Sequence, residues 1–159
     1  MPFAIIMFMS LMLGVIAMHK NNLYMVQQPS VHAQQVNSDA AEFIAYRDAV
    51  TAYMLTNRTF TGSVPNGSLT GNFSTAFLQN VGNVVTATGT AGRVITCYGK
   101  LATGTVQAAM IAAGVDASIG ITNDGSTWVS AAPDALKTST PLSASVPAGD
   151  IVSVIQIGS

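Results

Sequence analysis

Seventeen residues near the start of the chain, Pro2 to Met18 (PFAIIMFMSLMLGVIAM), carry no charge and a single clearly polar side chain, Ser10. A helix of that length rises roughly 25 Å at about 1.5 Å per residue, close to the ~30 Å hydrocarbon core of a bilayer. A helix packed in a soluble core normally keeps a polar face, and this run is apolar all round. A cleaved signal peptide opens on a basic segment and ends at small residues. No Lys or Arg precedes Lys20, although Val15-Ile16-Ala17 and Val31-His32-Ala33 have the form of cleavage triplets. The sequence therefore predicts a retained transmembrane anchor over residues 1–20. Phe3, Ile5, Ile6, Phe8, Leu11, Leu13, Val15 and Ile16 are its lipid-facing bulk. A cleaved leader is the alternative. Charge leaves orientation open: the nearest basic residue, Lys20, follows the segment and by the positive-inside rule draws that end toward the cytoplasm. The Thr-, Ser-, Gly- and Ala-rich remainder resembles an exported chain instead.

Beyond the anchor there is room for one domain of about 120 residues. Only 8% of the 159 residues are charged, against 49% apolar. The domain surface must accordingly be built from Thr, Ser, Asn, Gln and Gly. A net charge of -1 with the basic residues scattered supplies no electrostatic footprint for nucleic acid or an anionic leaflet. The one cysteine, Cys97, excludes an internal disulfide framework, and its apolar setting predicts burial.

Residues 21–37 (from NNLYMVQQPS onward) are Gln- and Asn-rich, hold Pro29 and show no sustained period, as expected of a tether. The folded domain is then expected over 38–159. Asp39 with Glu42 three residues on suggests a capping box, and Phe43, Tyr46, Val50, Tyr53 and Met54 recur at helical spacing up to about Asn57. Pro65-Asn66-Gly67 is a turn signal, and Thr75 to Asn80 has the length of a short helical turn. Val81–Thr88 and Arg93–Gly99 read as a hairpin, with Val94, Thr96 and Tyr98 on one face and Ile95 and Cys97 on the other. A second helix is expected over Thr103–Ala113, capped by Thr103 or Thr105 and burying Val106, Ala109, Met110 and Ala113. Ala117–Thr122 and Thr127–Ala131 form a second hairpin about Asn123-Asp124-Gly125. Pro133, Pro141 and Pro147 restrict 132–148 to loop or edge, and Asp150–Ile157 closes the chain as a strand. The fold class is α+β: a transmembrane helix, then an antiparallel sheet packed against two helices.

The residues of a reaction centre are missing from this pattern. Both histidines, His19 and His32, fall beside or within the tether, leaving no base for Cys97 or a serine. Asp39, Glu42, Asp48, Asp116, Asp124, Asp134 and Asp150 are scattered through caps and turns with no pairing pattern. Gly89 to Gly92 lacks the Lys and following helix of a phosphate loop. The expectation is a non-enzymatic chain with no cofactor, no metal, no nucleic acid and no small-molecule substrate. Trp128 and the turn at Pro65 to Gly67 stand out as contact points for a partner.

In element order and in several phrases the sequence resembles the PilM family of type IVb thin-pilus biogenesis. The phrases are AAEFIAYRDAVTAYMLTN, FTGSVPNGSL, GRVITCYG, ASIGITNDGSTWVS and VPAGDIVSVIQIG, set behind an apolar anchor and tether. An actin-like cytoplasmic protein of type IVa pili shares the name, binds nucleotide and has no anchor, and this chain is unlike it. The resemblance implies a single-pass inner-membrane component of the pilus basal body or pilin transport apparatus. Its domain would be periplasmic and its partners other assembly proteins and pilins. The alternative is a minor pilin or pseudopilin within the fibre, which would be expected to carry a basic leader and an acid soon after it. Here the first acid is Asp39.

Overall fold

A computed structural model describes residues 30–89 and 91–158. The anchor residues Phe3 to Ile16 lie outside the described residues. Among the described residues no helix is long and apolar enough to cross a membrane. The chain divides into two units, Met1–Gln34 and Gln35–Ser159.

The first described element, α1, runs Val31–Thr56. It starts well before the expected cap, inside the stretch read as a tether. Asp39 and Glu42 are consequently not capping residues. The Asp39 carboxylate accepts from Gln35 Nε2 on the same helix and from the Ala102 N–H, and Glu42 accepts from the Ser74 N–H at 3.2 Å. The anticipated stripe is real: Phe43, Tyr46, Val50 and Met54 are fully buried, with Ala40 and Ala49 beside them. Tyr53 is half-buried and sets its ring edge-on to Phe60.

After a 3-10 turn at Asn66–Ser68 come α2 (Thr75–Leu78), β1 (Val81–Thr88), β2 (Gly92–Gly99), α3 (Thr105–Ala112), β3 (Ile119–Thr122), β4 (Thr127–Ser130), β5 (Thr140–Pro141) and β6 (Ile151–Ile157). Helix α3 begins on Gly104 at φ 96°, with no side-chain cap from either threonine proposed for that role. The strands form one sheet in the order β1-β2-β6-β3-β4-β5, every pair antiparallel. The last strand in sequence is thus central, pairing Ser153 with Cys97 on one side and with Ile119 on the other. Its sequence accounts for this: Ile151, Ile155 and Ile157 alternate with Val152 and Val154, so both faces carry apolar side chains that must be covered.

Toward the helices, α1 and α3 share one core with Val85, Ile95, Cys97, Ile119 and Ile151, joined by Phe77 of α2. The opposite face carries a smaller cluster of Trp128, Val146 and Val152, with Tyr98, Leu142 and Val154 packed against it. Its cover is the segment after β5, residues 142–150. The Val146 N–H donates to the Gly125 carbonyl (2.9 Å), the Leu142 N–H to that of Ser126 (2.8 Å), and the Thr122 hydroxyl to that of Pro147 (2.7 Å). Gly125, at φ 84°, is required here, because a Cβ would lie 2.4 Å from the Val146 oxygen.

Both sheet edges are closed. At one end β5 is two residues long and includes Pro141, which offers no N–H to a further strand. At the other, Gly62 exchanges backbone hydrogen bonds of 2.8 and 2.9 Å with Val85. Asn83 extends that seam with its side chain, accepting from the Val64 N–H (2.7 Å) and donating to the Val64 carbonyl (3.0 Å).

Candidate functional site

Each kind of side chain that could do chemistry has a traceable position. Cys97 is wholly buried under the helices, and burial pushes its thiol up to about 12, so it is neither a thiolate nor reachable at neutral pH. The Asn83 amide also donates to the Tyr46 hydroxyl (2.7 Å), which donates in turn to Asn66 Oδ1 (3.3 Å). Burial raises the Tyr46 phenol despite the Asn83 bond, so it stays a neutral link in this network. The exposed turn at Pro65 to Gly67 is therefore tied to the core through Asn66.

Several of the acids are engaged in local structure. Arg47 donates to Asp116 through Nη1 (2.8 Å) and to Asp48 through Nη2 (2.9 Å). Burial acts to raise the Asp116 carboxyl, but hydrogen bonds from Ser118 and the Arg47 guanidinium prevail and hold it below its ordinary value. Asp124 accepts the Ser126 and Thr127 N–H groups and both hydroxyls within the β3–β4 turn. Those bonds, the Ser126 N–H foremost, bring it down to about 2. Asp150 is shifted the other way, raised by burial and only partly offset by Lys100. Glu42 orients Ser74, whose hydroxyl caps α2 by accepting the Phe77 N–H (3.2 Å). Among the described residues no group of three or more His, Cys, Asp or Glu could hold a metal ion.

What the domain offers a partner is surface. Trp128, which the sequence suggested as an exposed contact, is 8% exposed and belongs to the second cluster. Gly120 makes room for it: a Cβ there would sit 2.8 Å from the indole. The exposed apolar residues lie elsewhere. Among them are Ile111 (61% exposed) near the end of α3 and Val115 (50%) in the turn after it. Ile111 borders a shallow groove of about 550 Å³ between α1 and α3, floored by Ala40, Ala41, Ala108 and Ala112. The buried positions of α3 are Thr105, Ala109 and Met110, and the exposed Ile111 lies outside that set.

The PilM family profile matches residues 7–154, from within the apolar run to the middle of β6. The chain belongs to the PilM family. The crystal structure of a PilM protein from Escherichia coli B7A superposes with a TM-score of 0.57 at 16% identity, covering 81% of this chain and 98% of that one. At that identity the likeness is one of fold. No curated protein matches. Membership points to a pilus-related role. The PilM sheet, with its central last strand, is the frame on which the surfaces above are presented.

Proposed function

We propose that the chain is a non-enzymatic component of type IVb pilus biogenesis, held in the inner membrane by residues 1–20 with residues 38–159 folded in the periplasm. There it acts as part of the basal body or pilin transport apparatus. It contacts other assembly proteins and pilins through an uncharged surface and needs no cofactor. The observation that carries this reading is the extent of the family match. It starts at residue 7, so part of the apolar run and nearly all of the domain fall within one family match. The site geometry is compatible with it, since Asp116 and Asp124, the two described acids held below their ordinary value, serve an ion pair and a turn. The groove beside Ile111 is of the apolar, weakly charged kind that protein partners use.

Deleting the gene from a piliated strain tests the reading. We expect loss of surface pili by electron microscopy, with pilin still made, and rescue by the parent chain. Ile111→Glu should restore fewer pili while leaving the thermal unfolding midpoint unchanged. Pili retained in the deletion strain would remove the proposal. The chain recovered stoichiometrically in sheared, purified fibres would replace it with a minor pilin.

A further inference from the structure

Among the described residues one buried charge has no opposite charge to answer it. Arg93, on the helix-facing side of β2, is 8% exposed, and its guanidinium donates to three carbonyl oxygens: Gly92 through Nη1 (2.8 Å), Phe60 through Nε (3.3 Å) and Thr59 through Nη2 (3.3 Å). These bonds fasten the chain after α1 to the start of β2. A guanidinium has five N–H groups, so one on each Nη is left over. No described acid is within salt-bridge distance, since the described ion pairs both belong to Arg47.

Arg93 lines a cavity of about 490 Å³ at the end of the sheet, with Met54, Leu55, Ala91 and Ile157 as apolar wall and Arg58 beside them. Arg58 is exposed, and its hydrogen bond to the Leu55 carbonyl is long at 3.4 Å. Among the described residues the cavity thus combines an apolar wall, a buried guanidinium with spare donors and a second, exposed guanidinium, with no acid in its lining. The planar fork of a guanidinium fits a carboxylate in particular. The wall has neither lysine nor a run of glycine N–H groups to surround a phosphate.

We propose that this cavity binds a carboxylate carried on a compact apolar group, the head paired with Arg93 and Arg58 and the body against Leu55 and Ile157. Two sources share that chemistry: the free C-terminal residue of a polypeptide ending in an aliphatic side chain, and a short fatty acid. The site is separate from the Ile111 groove and does not depend on the assembly role.

Arginine Nε–H resonances of the full chain in nanodiscs give the test, because the sequence has only Arg47, Arg58 and Arg93. N-acetyl-leucine and hexanoate are the two acid probes, with N-acetyl-leucinamide and hexanol as uncharged controls. The Arg93 and Arg58 signals should shift on adding acid while Arg47 stays in place, and the controls should leave all three unmoved. Leu55→Glu, at an exposed position, should weaken binding at least about tenfold without unfolding the domain. Arg58→Gln should weaken it less. Tighter binding of N-acetyl-leucine supports the site with a chain end as its source, tighter hexanoate supports it with an acyl source, and equal binding supports recognition of the shared chemistry. Silence of Arg93 toward both acids, equal shifts with the controls, or indifference to Leu55→Glu would overturn the proposal.

Discussion

On one face of the sheet a 26-residue helix lays Phe43, Tyr46, Val50 and Met54 over Val85, Ile95 and Ile151; on the other an irregular loop folds Val146 and Leu142 onto Trp128 and Val152. Regular periodicity supplies the first cover, and irregular chain held by backbone hydrogen bonds supplies the second. The contrast teaches where stability should concentrate. Apolar area buried against a rigid helix is large, whereas the loop adds a small cluster whose ordering costs conformational entropy.

Four substitutions can break or sharpen that contrast. Phe43→Ala removes a fully buried ring and should cost about 3–5 kcal/mol in urea unfolding followed by circular dichroism. Tyr46→Phe keeps the ring, which stands edge-on to Phe73 and Phe77, but leaves an Asn83 N–H buried without a partner. It should cost about 1–3 kcal/mol. Val146→Ala on the loop-covered face should cost about 1.5 kcal/mol, at ~0.8 kcal/mol per methylene. Trp128, the single tryptophan, reports on that face alone. In Val146→Ala its fluorescence transition should precede the circular dichroism transition, and coincident transitions would mean the two covers unfold together.

The smallest effect concerns Asp116, which joins Arg47 on α1 to the approach to β3. Its folded value lies below the ordinary 3.8, so between the two values the unfolded chain binds more protons and stability rises with pH. Its contribution is complete above 3.8 and is lost as pH falls through the folded value. Asp124 has the same sign, fading toward about 2, whereas the raised Asp150 favours the folded state at low pH and loses that contribution as pH rises through its folded value. Asp116→Asn should cost no more than about 1 kcal/mol at neutral pH and make the fall in stability below pH 3.8 shallower. A slope as steep as the parent's would assign the acid sensitivity elsewhere.

The helix-covered half was legible in the sequence because it is periodic: the α1 stripe, the alternation in β1 and β2, and the two faces of β6 all follow side-chain spacing. Three features had no such signal. The start of α1 carries no buried residue before Ala40, so nothing marks it as helix. The loop over Trp128 is held by the Thr122 hydroxyl and otherwise by backbone N–H and carbonyl groups, which any sequence supplies. Arg93 reads only as the first polar residue of a strand, since its partners Thr59 and Phe60 are more than thirty positions away. The Ile111 groove was hidden for the same reason, since it forms only where Ala40 and Ala41 of α1 meet Ala108 and Ala112 of α3, far apart in sequence.

The central claim is that an anchored chain presents this domain to the periplasm, and Ile111→Cys tests it most directly. Cys97 is buried with its thiol near 12, so the introduced thiol at an exposed site is the reactive one. A membrane-impermeant maleimide added to cells with a permeabilised outer membrane should label the full-length chain, and the label should sediment with the inner membrane. Labelling only after lysis of the inner membrane, or a labelled chain that is shortened and soluble, would contradict the account.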